Sequence, residues 1–212
     1  AGLGTWQQHC VICQAKQLGD TVQVTSVFHY FAPENNDSAQ LLVESRWQYE
    51  IKASGEVSVQ VEVNVNESLP SLPRVGLKSS IDSQNITSKE VSWLGRGPFE
   101  NYPDRNCAAR VGFYQQSLSA FHTNYIFPTD SGLRTDCQRL TVGNLTIEGE
   151  FHFAVSEYSQ QMLANAKHTN ELIKADSLQV YIDHAHMGVG GDDSWSPSVH
   201  PEFLVDETRY RY

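Results

Sequence analysis

The sequence predicts an all-β protein built as a sandwich of large antiparallel sheets, and three observations carry that prediction. Apolar and polar residues alternate with a period of two along most of the chain. Clusters of Gly, Pro, Asn, Asp and Ser interrupt the alternation. A single short stretch shows helical character. The clearest alternation runs from Val57 to Val65, where valine holds every odd position and Ser58, Gln60, Glu62 and Asn64 lie between. A strand with that pattern has one dry face and one wet face.

Taken in order, the N-terminal residues enter a strand almost at once, and a further strand is expected over Val22 to Phe31. Trp47, Tyr49 and Ile51 keep the odd phase of the valine run and reach it through Ala53-Ser54-Gly55-Glu56, so residues 45 to 66 read as a long hairpin. Later strands are expected at Val75 to Ile81, Val91 to Leu94, Leu145 to Val155, Ser177 to Met187 and Glu202 to Tyr210. Pro33-Glu34-Asn35-Asn36-Asp37, Pro70-Ser71-Leu72-Pro73, Gly95-Arg96-Gly97-Pro98 and Thr129-Asp130-Ser131-Gly132 read as loops. Ser159 to His168 reads as the one helix, with Ser159 as its N-cap. No repeat or linker divides the chain, so residues 1–212 are expected to form one domain. Trp6, Trp47 and Trp93 fall in strand phase and are expected in the core.

Composition narrows the function classes. A net charge of −10 works against nucleic-acid binding, because phosphate contacts need clustered Lys and Arg. No apolar run reaches the roughly 20 residues of a membrane helix, and no export signal opens the sequence. A cytoplasmic, reducing setting without disulfides is therefore expected for Cys10, Cys13, Cys107 and Cys137. Cys10-Val-Ile-Cys13 has the CxxC form, yet no second pair follows and the surrounding alternation is that of a strand. Ordinary buried or half-buried thiols are the preferred reading. The sequons at Asn66, Asn85 and Asn144 matter only in a secreted protein.

The densest run of special residues is His186-Met-Gly-Val-Gly-Gly-Asp-Asp-Ser-Trp195. It follows a strand whose apolar phase, Leu178, Val180 and Ile182, continues to His184 and His186. Two histidines on one face with Asp192 and Asp193 nearby suggest a metal site, but further ligands are not specified, and local hydrogen bonding is the preferred reading. The glycines do not form a nucleotide loop, since Trp195-Ser196-Pro197-Ser198 follows where a helix would have to begin. Trp195 sits in a Gly-rich, Asp-rich loop with few apolar neighbours, and loops on rigid scaffolds are where binding residues concentrate. Its indole face matches the C–H face of a sugar such as galactose. The carboxylates Glu100, Asp104, Glu148, Glu150, Asp192 and Asp193 lie in separate segments, and nothing marks two of them as a glycosidase pair. Asp104 and Arg105 read as a salt bridge within their loop, so no catalytic residue is assigned.

Four stretches carry a resemblance: WLGRGPFENYPDR (93–105), ARVGFY (109–114), YIFPTDSGLRTD (125–136) and HMGVGGDDSWSPSV (186–199). In this order they resemble the C-terminal domain of the large, multidomain, cytoplasmic bacterial β-galactosidases of glycoside hydrolase family two. The resemblance implies a galactose-mutarotase-like supersandwich that closes a tetrameric, retaining enzyme acting on β-galactosides such as lactose. It places the catalytic glutamates, with Mg²⁺ and Na⁺, in a (β/α)₈ barrel domain outside this chain. It gives Trp195 the role of stacking on a galactoside shared with that barrel, with His186, Gly190, Gly191, Asp192 and Asp193 supporting the loop. Relative to the family's domain, the chain appears as a truncated piece, and alone it is expected to be inactive. Two other readings stand beside this one: a self-sufficient carbohydrate-binding sandwich with Trp195 in a complete local site, and a structural domain with Trp195 buried against its own sheet.

Overall fold

A computed structural model describes residues 3–32, 40–86, 88–196 and 198–212. The expected turn at Pro33–Asp37, Thr87 of the second sequon, and Pro197 lie outside the described residues. The all-β class expected from the alternation holds. Eleven strands form two antiparallel sheets among the described residues, with one short α-helix. Backbone contacts divide the chain into two compact units, Ala1–Leu72 with Asp206–Tyr212, and Pro73–Val205.

The first unit is a five-stranded sheet in the order β1-β2-β3-β4-β11. Its strands are β1 (Gln7–Leu18), β2 (Thr21–Phe31), β3 (Leu41–Lys52), β4 (Val57–Val65) and β11 (Arg209–Arg211). The hairpin expected over 45–66 is present in register, Trp47 opposite Val61 and Ile51 opposite Val57. Gly55 takes a φ of 89° in its turn, which a side chain would resist. The dry valine face fades along the strand: Val61 and Val63 are buried, whereas Val57 is exposed. The opposite face is charged, with Glu62 accepting from Arg209 and Arg211, and with Arg46, Gln48 and Gln60 lining a depression of about 540 Å³. Strand β1 is a sheet edge, and all twelve of its residues are exposed.

The second unit is a six-stranded sheet in the order β5-β10-β9-β8-β6-β7. These are β5 (Arg74–Asp82), β6 (Glu90–Gly97), β7 (Arg110–Ser117), β8 (Arg134–Val142), β9 (Leu145–Ser156) and β10 (Ser177–His186). Its core gathers Trp93, Phe121, Phe153, Leu140, Val155 and Val180, all nearly free of solvent contact. The aromatic rings of Trp93, Phe121 and Phe153 meet edge-on or tilted at 5.5–6.0 Å between centroids, a favoured arrangement for their quadrupoles. The guanidinium of Arg134 is buried against the faces of Phe121 and Trp93, 4.6 and 5.4 Å from the ring centroids. It donates to the Gly132 carbonyl at 3.0 Å and to Gln116 Oε1 at 3.3 Å. Burial lowers its pKa to about 10.

Several expectations are corrected. Only Trp93 of the three strand-phase tryptophans is a core residue; Trp6 and Trp47 are half-buried. Gly95-Arg96-Gly97 is not a loop but the end of β6. A Cβ on Gly95 would lie 2.4 Å from Cys137 Sγ, and one on Gly97 would lie 2.8 Å from the Trp93 ring, so these glycines make room for packing. The final stretch is a strand only at Arg209–Arg211, because Pro201 opens a 3₁₀ turn at Pro201–Phe203. The helix is shorter than expected, α1 (Gln160–Asn165), but it starts as read, with Ser159 Oγ accepting the Met162 N–H at 3.1 Å. All four cysteines are free thiols. Cys10, Cys13 and Cys107 are exposed, and only Cys137 is buried, its pKa pushed up to about 12 by desolvation. No helix among the described residues is long and apolar enough to cross a membrane.

Candidate functional site

The candidate site is an arm, residues 187–196, that leaves the end of β10. Its root is tied down by backbone hydrogen bonds from Met187 N–H to the Pro73 carbonyl at 3.0 Å and from Gly188 N–H to the Phe203 carbonyl at 2.9 Å. Gly188 has to be glycine: a Cβ would sit 2.5 Å from Asp104 Oδ2 and 2.9 Å from Phe203 Cβ. Asp104 then grips the next turn, its two oxygens accepting the N–H groups of Val189 at 3.0 Å and Gly190 at 2.7 Å. Arg105 donates to the Gly190 carbonyl at 3.4 Å. The expected bridge between Asp104 and Arg105 is therefore replaced by a clamp in which each residue binds the arm.

Gly190 and Gly191 take φ values of 63° and 88°, left-handed conformations that reverse the chain. A Cβ on Gly190 would also lie 2.7 Å from the Ser198 carbonyl oxygen. Beyond them Asp193 Oδ1 accepts the N–H groups of both Trp195 and Ser196 at 2.6 Å, an Asx turn that fixes the backbone of the tryptophan itself. Asp192 pairs with His200 at 2.6 Å. The Trp195 side chain is held into solvent, 93% exposed. Its indole thus offers a flat apolar face to solvent.

His186 sits at the arm's base, its Nδ1 2.7 Å from the Met187 carbonyl and its ring 5.8 Å from that of Tyr102. Burial lowers its pKa below the usual histidine value. The unbroken alternation expected through His184 to His186 is interrupted. The pairing of β10 with β5 shifts register between Asp183 and Ala185, and this bulge leaves His184 exposed while His186 turns inward. Among the described residues no group of three or more His, Cys, Asp or Glu side chains converges as a metal site. Below the arm, Arg74 Nε lies 3.1 Å from both oxygens of Asp183, whose carboxyl is pushed up by burial and held back by that guanidinium.

The carboxylates considered for chemistry are mostly committed elsewhere. Glu100 accepts from Tyr102 at 3.3 Å, from the Gly132 N–H at 2.9 Å and from the Tyr125 hydroxyl. That last bond pushes the Tyr125 pKa up to about 12. Asp104 and Asp193 hold the arm, Asp192 pairs with His200, Glu148 pairs with Arg139 at 3.5 Å, and Glu150 is exposed on β9. Sequence reasoning missed the clamp by Asp104, because a carboxylate that binds backbone 86 positions away leaves no local pattern. It also missed the exposed side chains of Phe99, Ile126 and Phe127.

Residues 4–212 match the family model described as β-galactosidase small chain. A β-galactosidase of Pseudoalteromonas haloplanktis is 52% identical over 212 residues, covering 100% of this chain and 20% of the relative. One from Photobacterium profundum is 50% identical over 214 residues and one from Vibrio vulnificus 46% over 212, each again spanning 20% of the relative. The chain thus corresponds to about one fifth of the length of these relatives.

Proposed function

The chain belongs to the β-galactosidase small-chain family, and on that premise we propose that it supplies one wall of a galactoside site whose catalytic carboxylates lie in another part of the enzyme. The observation that carries this reading is Trp195, an indole 93% exposed at the tip of an arm whose backbone is pinned by Asp104 and Asp193. A hydrophobic ring is held in water at this cost in order to meet something, and a rigid flat face suits the C–H face of a galactose ring. Stacking there contributes about 1–3 kcal/mol. Because the arm is already shaped, little ordering entropy opposes the contact.

In this reading the chain's residues bind and orient rather than react. Trp195 covers one face of the sugar and excludes water from it. Asp193 and Asp104 keep the backbone that carries the ring in place as substrate enters. Proton transfer and bond cleavage fall to carboxylates outside the chain, and the retaining course, the action on lactose, the tetramer, the Mg²⁺ and Na⁺ dependence and the cytoplasmic location all belong to that larger enzyme.

The test uses an enzyme in which this chain stands in place of the matching fifth of the P. haloplanktis relative. Trp195→Ala is expected to raise the KM and the Kd of a galactoside inhibitor about 10- to 100-fold, the equivalent of the stacking energy. Unchanged values would remove Trp195 from the site. The isolated chain is expected to hydrolyse no chromogenic galactoside, and calorimetric binding of galactose by it alone would point to a complete local site instead.

A further inference from the structure

The tip of the arm is shaped by bonds of its own. Asp193 Oδ1 accepts the N–H groups of Trp195 and Ser196, and Ser196 Oγ accepts the N–H of Ser198 at 3.1 Å. All of these bonds join residues between 193 and 198, so they give the tip its form without fixing it to the rest of the protein. The limb that returns from the tip is anchored differently. Pro201 opens the 3₁₀ turn Pro201–Phe203, in which the Phe203 N–H donates to the His200 carbonyl at 2.9 Å. The Phe203 carbonyl in turn accepts the N–H of Gly188 at the arm's root. A proline at the start of such a turn presets its backbone, so His200 stands on a firm mount. The outgoing limb passes close by, since a Cβ on Gly190 would lie 2.7 Å from the Ser198 carbonyl oxygen.

The two limbs are joined where His200 Nε2 lies 2.6 Å from Asp192 Oδ2. Asp192 directly precedes Asp193, whose carboxylate sets the backbone of Trp195. A chain of bonds therefore runs from the turn at Pro201 through His200 and Asp192 to the residue that carries the indole. We propose that His200 is a positioning residue for the galactoside site: through Asp192 it fixes where the tip holds the Trp195 ring, and so it sets the affinity for the sugar without touching it. This rests on the sugar contact assigned to Trp195 in the function proposed above. The side chains of His200 and Asp192 are 60% and 68% exposed, and a pair so open to water adds little to the stability of a fold. Its loss changes where the ring stands and leaves the chain folded.

The experiment uses the P. haloplanktis enzyme carrying this chain as its matching fifth. His200→Ala and Asp192→Ala are each expected to raise the KM about two- to fivefold, as the loss of one exposed charged bond allows, with kcat unchanged. Because one bond is removed in both, the double variant is expected to match the single ones. The exchange Asp192→His with His200→Asp rebuilds the pair in reverse and is expected to restore the KM. A KM that moves in His200→Ala but not in Asp192→Ala, with no recovery in the exchanged pair, would overturn the proposal, since His200 would then act by another contact. So would additive losses. In the Trp195→Ala enzyme, which has no ring to place, His200→Ala is expected to raise the KM no further, and a further rise would also count against the proposal. In the isolated chain, amide exchange at Trp195 and Ser196 is expected to quicken about two- to fivefold in His200→Ala, and unaltered exchange would show that the pair does not hold the tip. The two readings fail separately. A KM indifferent to Trp195→Ala refutes the sugar contact, whereas a KM that responds to Trp195→Ala and ignores both His200→Ala and Asp192→Ala refutes the positioning role alone.

Discussion

Asp104 holds Gly190 across 86 residues of sequence, accepting its backbone N–H at 2.7 Å while its other oxygen accepts the N–H of Val189 at 3.0 Å. Charge-assisted bonds of this kind contribute about 1.5–3 kcal/mol each. Asp104→Ala is therefore expected to speed amide exchange at Val189 and Gly190 by about 10- to 100-fold, measured by NMR, while amides of the strand core stay protected. Unaltered exchange at these two amides would mean that the arm is held by something else.

The ring at the arm's tip stabilises nothing within the chain. With Trp195 93% exposed, Trp195→Ala is expected to change the unfolding free energy by no more than about 0.5 kcal/mol in denaturant titration. A larger loss would show that the indole packs on its own scaffold in solution.

Arg134 gives a contrast. Its buried guanidinium lies between aromatic rings, with Nε lacking a partner among the described residues. Arg134→Met keeps the packing and removes a desolvated charge, so stability within about 1 kcal/mol of the parent is expected, whereas Arg134→Ala leaves a cavity and costs about 2–4 kcal/mol. Equal losses in the two variants would show that the charge matters more than the volume.

Gly95 is fixed by its neighbour. A methyl group there would meet Cys137 Sγ at 2.4 Å, and Gly95→Ala is expected to cost about 1–3 kcal/mol. Adding Cys137→Ala should recover part of that loss, and strictly additive effects would remove the steric explanation.

Stability should fall in mild acid. His152 Nδ1 accepts the Asp136 N–H at 3.1 Å, and burial lowers the pKa of this ring, as it does that of His186. The unfolded rings take up protons at about pH 6.5, the folded ones only below that. The unfolded chain thus binds more protons in the interval, so stability is complete above about pH 6.5 and is lost as the pH falls toward the folded values. His152→Asn retains an acceptor without titrating, and its denaturant midpoint should fall less between pH 7.5 and 5.5 than that of the parent.

The fold class was legible because alternation is a local signal that follows from the pleat: the valines of β4 and the phase of Trp47 and Tyr49 placed the hairpin without any long-range information. Where reading failed, tertiary contact had overridden a local rule. Gly95 and Gly97 resemble turn residues but are glycines because Cys137 and Trp93 press against them. The paired phase of His184 and His186 was broken by a bulge, which no single-strand pattern reveals. In the site, the glycines and Asp193 announced a shaped loop around Trp195, since an Asx turn is encoded within three residues. Asp104, Glu100 and the display of Ile126 could not be read in the same way, because each depends on partners brought in from other segments.

The margin of the first sheet has a practical corollary. Strand β1 offers twelve solvent-facing residues with Lys16 as their only charge, and its outer backbone groups are not paired to another described strand. Long borders with so few charges recruit strands from nearby chains. Concentrating this polypeptide by itself is therefore expected to raise its light scattering through this border, although the bulge between Cys10 and Ile12 interrupts it, and Gln14→Lys is expected to lower that scattering.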